Sequence, residues 1–170
     1  RLRASAVCVM VKKTRAPAML FMAAMITGQI YTWSKADDIP VESLPAAVKE
    51  VVESYARILK ESKSVDEAAA AFAAIAGGSL VNENGTVSNN TKQFGLKKDF
   101  NNFKHYAYPI KITRVNKTVS NGDGYGAAKI AGDRYTVWIA KNDPAKGMPA
   151  PVTIIAPASG APKVVNVGSY

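Results

Sequence analysis

Tyr106, Tyr108, Ile110 and Trp138 are the residues whose types and spacing best suit the binding of a ligand. The first three stand two residues apart, so on an extended backbone they share one face with Ile112, while Trp138 falls in the next extended stretch. If that face lines a pocket, the rings offer flat apolar surface and the phenol hydroxyls can orient an apolar or planar ligand. The plainer alternative is ordinary core between a sheet and a helix. His105 is the only histidine. Its side chain has the right intrinsic pKa for general acid or base work, but it alternates out of phase with Tyr106 and is expected on the solvent side. Asp99 and the tyrosines are the other groups an enzyme of this size would draw on, whereas Asp123 and Asp133 fall in or beside turn sequences. No Ser/His/Asp arrangement and no clustered zinc ligands are recognisable. No catalytic residue is therefore assigned, and no metal or cofactor is expected.

Two further motifs carry little chemistry. Asn121-Gly122-Asp123-Gly124-Tyr125-Gly126 lacks both the G-x-G-x-x-G spacing of a phosphate loop and the carboxylate ladder of a calcium loop, and reads as a hairpin turn. Lys97, Lys98 and Lys104, followed by Lys111, Arg114 and Lys117, form a mildly basic surface that could meet an anionic lipid or glycan, or simply be solvated.

The formal charge is +9 over 170 residues, from 22 basic and 13 acidic side chains. Six of the basic residues lie within residues 1–36 and every acidic residue lies after position 36, which leaves 16 against 13 in the remainder. An excess of about three charges gives no basic footprint for nucleic acid. The basic beginning instead has the parts of a secretory leader. Lys12-Lys13-Thr14-Arg15 precedes an apolar stretch from Ala16 to Ile30, and Ser34-Lys35-Ala36 offers the small residues of a cleavage site. The stretch is shorter than the roughly 20 residues that span a bilayer, so cleavage after Ala36 is expected rather than a lasting anchor. Val11 would serve as the start of such a leader. Cys8, the single cysteine, lies before the apolar stretch, so the exported chain would hold no thiol and no lipid-bearing cysteine. Residues 37–170 are long enough for one domain with its own core.

The elements that must position the aromatic residues follow from periodicity. Leu44, Val48, Val51, Val52, Tyr55, Ile58 and Leu59 recur at three- and four-residue steps, the pattern of an amphipathic helix. Ser64-Val65-Asp66-Glu67 forms a capping box, and the alanine-rich run after it predicts a second helix that Gly77-Gly78 ends. Leu96, Phe100 and Phe103 indicate a short third helix. From His105 to Lys117 the period falls to two, predicting a half-buried strand. Ala127 to Lys141 reads as a long central strand, and Val152 to Ala156 with Lys163 to Val167 as a hairpin. Helices first and strands after give an α+β fold: N-terminal helices packed on a curved, mostly antiparallel sheet of about four strands.

This order, with a long first helix, a capped second helix and a final strand pair ending Lys163-Val164-Val165-Asn166-Val167-Gly168-Ser169-Tyr170, resembles the cystatin-like, nuclear-transport-factor-2-like superfamily across residues 41–170. The resemblance implies a cone whose open end admits a ligand, and it implies either a non-catalytic binding domain or a small isomerase, dehydratase or cyclase. It also implies a homodimer formed through sheet faces. The expectation is an exported binding or interaction domain, with a small apolar ligand or a protein partner and no nucleic acid.

Overall fold

The computed structural model describes residues 36–170; the expected leader and Cys8 lie outside them. Helix α1 (Ala46–Glu61) begins after Pro45 and buries Val48, Val51, Val52, Tyr55, Ala56 and Leu59, the stripe set by its periodicity. Helix α2 (Val65–Phe72) starts at Ser64, whose hydroxyl accepts the Glu67 N–H at 3.2 Å. The return bond of this box goes one residue further back than the motif predicts, from Lys63 N–H to the Glu67 carboxylate at 2.8 Å. Helix α2 stops at Phe72 rather than running to Ala76, because residues 75–77 are drawn alongside the last strand. The Val164 N–H donates to the Ile75 carbonyl at 2.8 Å, and the Gly77 N–H to the Val164 carbonyl at 2.9 Å. Helix α3 (Lys97–Asn102) continues from a π-helical turn over Thr91–Leu96.

The sheet has five strands rather than about four. Strands β1 (Asp37–Ile39), β2 (Ile112–Asp123), β3 (Ile130–Ile139), β4 (Ala150–Ala156) and β5 (Lys163–Asn166) lie in chain order, each antiparallel to the next. Strand β1 is a polar segment, Asp37-Asp38-Ile39, with no alternation of its own. It pairs with β2 through Asp37 opposite Lys117 and Ile39 opposite Val115. One face of the sheet carries Val115, Tyr135, Val137, Ile139, Val152, Ile154 and Val164 into a core shared with Val48, Val52, Tyr55, Phe72, Leu96 and Phe103 from the helical layer. An α+β fold with helices on one face of an antiparallel sheet is thus present.

Two strand boundaries differ from the periodicity. The central strand begins at Ile130 instead of Ala127, since residues 126–128 form a tight helical turn. Strand β2 begins at Ile112 instead of His105, and it extends through Asp123, which places the turn after Asn121-Gly122 rather than on it. The cause of the late start is Pro109, which has no N–H to give to a ladder. The Ala107 N–H donates to the Ala140 carbonyl at 3.1 Å and the Ala140 N–H to the Lys111 carbonyl at 2.8 Å. Tyr108, Pro109 and Ile110 are left between these bonds as a strap outside the ladder, with a cis peptide joining Tyr108 to Pro109.

Candidate functional site

The strap defines a cleft. Tyr108, Pro109 and Ile110 on one side and Glu53, Ala56 and Arg57 of α1 on the other enclose about 300 Å³. Tyr108 is 45% exposed, and its ring meets that of Phe103 in a T-shaped contact at a centroid separation of 6.3 Å. Ile110 is half-buried against the core. The floor is apolar, while Glu53 and Arg57 put one charge of each sign at the rim, one helical turn apart. Such a site can hold a small apolar or planar body and grip a polar substituent at its edge.

The four aromatic-set residues do not share one surface. Tyr108 and Ile110 line the cleft. Tyr106 instead lies in the core at 5% exposure, ring to ring with Tyr170 at 4.5 Å. Trp138 sits on the opposite face of the sheet, because Val137 and Ile139 on either side of it point inward. There it pairs across strands with Arg114, whose guanidinium lies 3.7 Å above the ring. Period-two spacing across Pro109 placed Tyr106 and Tyr108 on one face; the strap separates them.

Among the other candidates, His105 is exposed, as its phase implied. Asp123 accepts the Ser79 N–H at 2.8 Å and closes a loop contact. Asp133 lies within β3 and pairs with Lys117 at 2.7 Å. Among the described residues, no three His, Cys, Asp or Glu side chains lie together as metal ligands. No helix of the described residues is long and apolar enough to cross a membrane.

Asp99 is the residue whose setting the sequence conveyed least. It is 1% exposed, and it accepts three hydrogen bonds: from the Tyr55 hydroxyl and the Gly168 N–H at 2.7 Å each on Oδ2, and from the Tyr170 N–H at 2.9 Å on Oδ1. Burial lifts its carboxyl above the ordinary carboxylate range, against the lowering pull of those donors and of Lys98. Tyr55 and Tyr170 are held well above the usual phenol value, first by their own burial and then by the Asp99 charge. Lys98 donates to the Gly168 carbonyl at 2.8 Å and Asn102 to the Tyr170 carbonyl at 3.1 Å. Three side chains of α3 thus grip four main-chain groups of one short segment, Gly168–Tyr170. The signal was present in the helix stripe: Asp99 falls three residues after Leu96 and four before Phe103, a carboxylate at an apolar position.

No protein-family model, curated protein or solved structure matches the chain.

Proposed function

We propose that this protein is an exported binding or interaction domain that holds a small apolar or planar ligand in the cleft between α1 and the Tyr108–Ile110 strap. The observation that carries this reading is the strap itself. A chain that only needed core would continue the β2 ladder, yet here three residues leave it and stand over α1 around about 300 Å³ of open space. A binding role is favoured over isomerase, dehydratase or cyclase chemistry by how the candidate groups are used. Asp99 spends its lone pairs on Tyr55, Gly168 and Tyr170, and His105 lies exposed outside the lining of this cleft. The order of helices and antiparallel strands is compatible with the cystatin-like, nuclear-transport-factor-2-like resemblance, which rests on architecture alone. Export rests on the basic and apolar composition of residues 12–36.

Native mass spectrometry of the protein recovered from the exported fraction tests the whole reading. Expected are a chain beginning at Asp37 and a small-molecule adduct that departs on denaturation. Ile110→Asp, which charges the cleft floor, should lose the adduct while staying folded. An unprocessed chain in that fraction would overturn cleavage after Ala36, and retention of the protein in the cytoplasm would overturn export. A spectrum free of adduct, in wild type and variant alike, would overturn the cleft as a ligand site.

A further inference from the structure

The grip of α3 on Gly168–Tyr170 has the form of peptide recognition, and it is made apart from the strap cleft. Asp99 takes the Gly168 and Tyr170 N–H groups, while Lys98 and Asn102 donate to the carbonyls of the same two residues. Main-chain groups are read in this way when a site binds a peptide backbone and leaves selectivity to the side chains. Two selective contacts accompany them. Gly168 adopts φ +95°, and a β-carbon there would stand 3.0 Å from the Gly95 α-carbon, so both conformation and space demand glycine. Two residues on, the Tyr170 ring enters a box formed by Tyr55 at 6.1 Å, Phe103 at 5.6 Å and Tyr106 at 4.5 Å.

The resident segment fits this groove imperfectly in two respects. The Tyr170 hydroxyl is buried with no hydrogen-bond partner, although the residue is only 4% exposed. A buried hydroxyl in that state is costly, and a phenylalanine ring would fill the same box without it. The groove also borders an open cleft of about 570 Å³, walled by Val167 and Gly168 on one side and by Gln93, Lys97, Asn101 and the 71%-exposed Phe94 on the other, which the segment leaves unfilled.

We propose that this groove is a recognition site for a peptide of the pattern glycine, any residue, aromatic, with the glycine at positive φ, filled in cis by Gly168–Tyr170 and open in trans to such a segment of a partner protein. Phenylalanine is the preferred aromatic residue. The resident segment then acts as a tethered competitor, present at an effective concentration on the order of millimolar.

The test uses the full-length chain, its Tyr170→Ala variant and amide-capped pentapeptides, with binding followed by backbone amide NMR shifts. The peptide Asn-Val-Gly-Ser-Phe should bind Tyr170→Ala, and should bind about threefold to fivefold more tightly than Asn-Val-Gly-Ser-Tyr. Asn-Val-Ala-Ser-Phe should bind at least about tenfold more weakly than its glycine counterpart. The wild-type chain should bind the phenylalanine peptide about 10- to 100-fold more weakly than the variant does, because the resident segment competes. Absence of binding to a folded Tyr170→Ala chain at about 1 mM peptide would overturn the proposal, as would indifference to the glycine. Should Tyr170→Ala fail to fold, hydrogen exchange in the wild-type chain decides the matter. Adding the phenylalanine peptide should speed exchange of the Gly168 and Tyr170 amides, and unchanged rates at about 10 mM peptide would show that the segment is a fixed part of the fold.

Discussion

Replacing Asp99 with asparagine separates the two opposing contributions of this carboxylate. Asparagine keeps one acceptor oxygen where the carboxylate has two. If that oxygen takes the place of Oδ2, the Tyr170 N–H faces an amide NH₂; if it takes the place of Oδ1, the Gly168 N–H does, and only the Tyr55 hydroxyl can turn to accept. Either way one buried backbone N–H is orphaned, at about 1–3 kcal/mol, and the surviving bonds lose their charge assistance. Against this, the ionised carboxyl itself bears a burial cost, visible in its raised pKa, that asparagine does not share. The net expectation for Asp99→Asn is a loss of about 1–3 kcal/mol near neutral pH. In a domain of this size that is about 4–10 °C in Tm.

The pH dependence carries a definite sign. A carboxyl whose pKa is higher folded than unfolded favours folding most when protonated. The contribution of Asp99 is therefore full below the unfolded value of about 4 and declines as pH rises through the folded value. Asparagine lacks this dependence, so the wild-type advantage should be larger near pH 4 than near pH 7.5. Urea unfolding of both chains across that range measures it. An Asp99→Asn chain as stable as wild type at every pH would refute the acceptor accounting. A gap that widens toward neutral pH would refute the claim that burial outweighs the donors.

Tyr170→Phe removes the unpartnered hydroxyl and should leave stability unchanged or raise it by up to about 1 kcal/mol, whereas a loss in thermal unfolding would reveal a partner for that group. Gly124→Ala should cost more than about 2 kcal/mol, because Gly124 adopts φ +82° and a β-carbon would lie 2.6 Å from the Gly78 backbone; an unchanged urea midpoint would contradict that packing. Ser64→Ala should cost about 1 kcal/mol through the lost cap on α2, seen as a lower midpoint with an unchanged slope. Light scattering of the exported chain at micromolar concentration should give a dimer if sheet faces pair, and a monomer mass of about 14 kDa would reject that association.

Legibility in the sequence followed the range of the forces involved. The α1 stripe and the Ser64 cap are set within a few residues, and both stand where periodicity and motif put them. The central strand was legible from its apolar run Tyr135, Val137, Trp138 and Ile139, but that run reads as apolar on both faces, and only the sheet's packing shows that Tyr135, Val137 and Ile139 alone enter the core. Strand β1 was hidden, since Asp37-Asp38-Ile39 is a strand only by virtue of the β2 edge beside it. Pro109 was in view, but alternation on both sides of it masked its effect, so Tyr106 and Tyr108 were assigned one face. Two of the six lining residues were therefore legible, Tyr108 and Ile110, while the α1 residues opposite them, Glu53, Ala56 and Arg57, are exposed or small and carry no pattern. The partners of Asp99 lie up to 71 residues away in a segment, Gly168-Ser169-Tyr170, with no periodicity at all.

That separation in sequence has a kinetic consequence. The donors at Gly168 and Tyr170 become available to Asp99 only after β2, β3, β4 and β5 have been synthesised, and closing so long a loop is favourable chiefly once the sheet has brought its ends together. Substitutions at Asp99 should therefore speed unfolding and leave the folding rate nearly untouched. On this account the carboxylate is a late fastening. It governs how long the assembled molecule persists, and the speed of assembly is set by the helix and sheet core that forms before it.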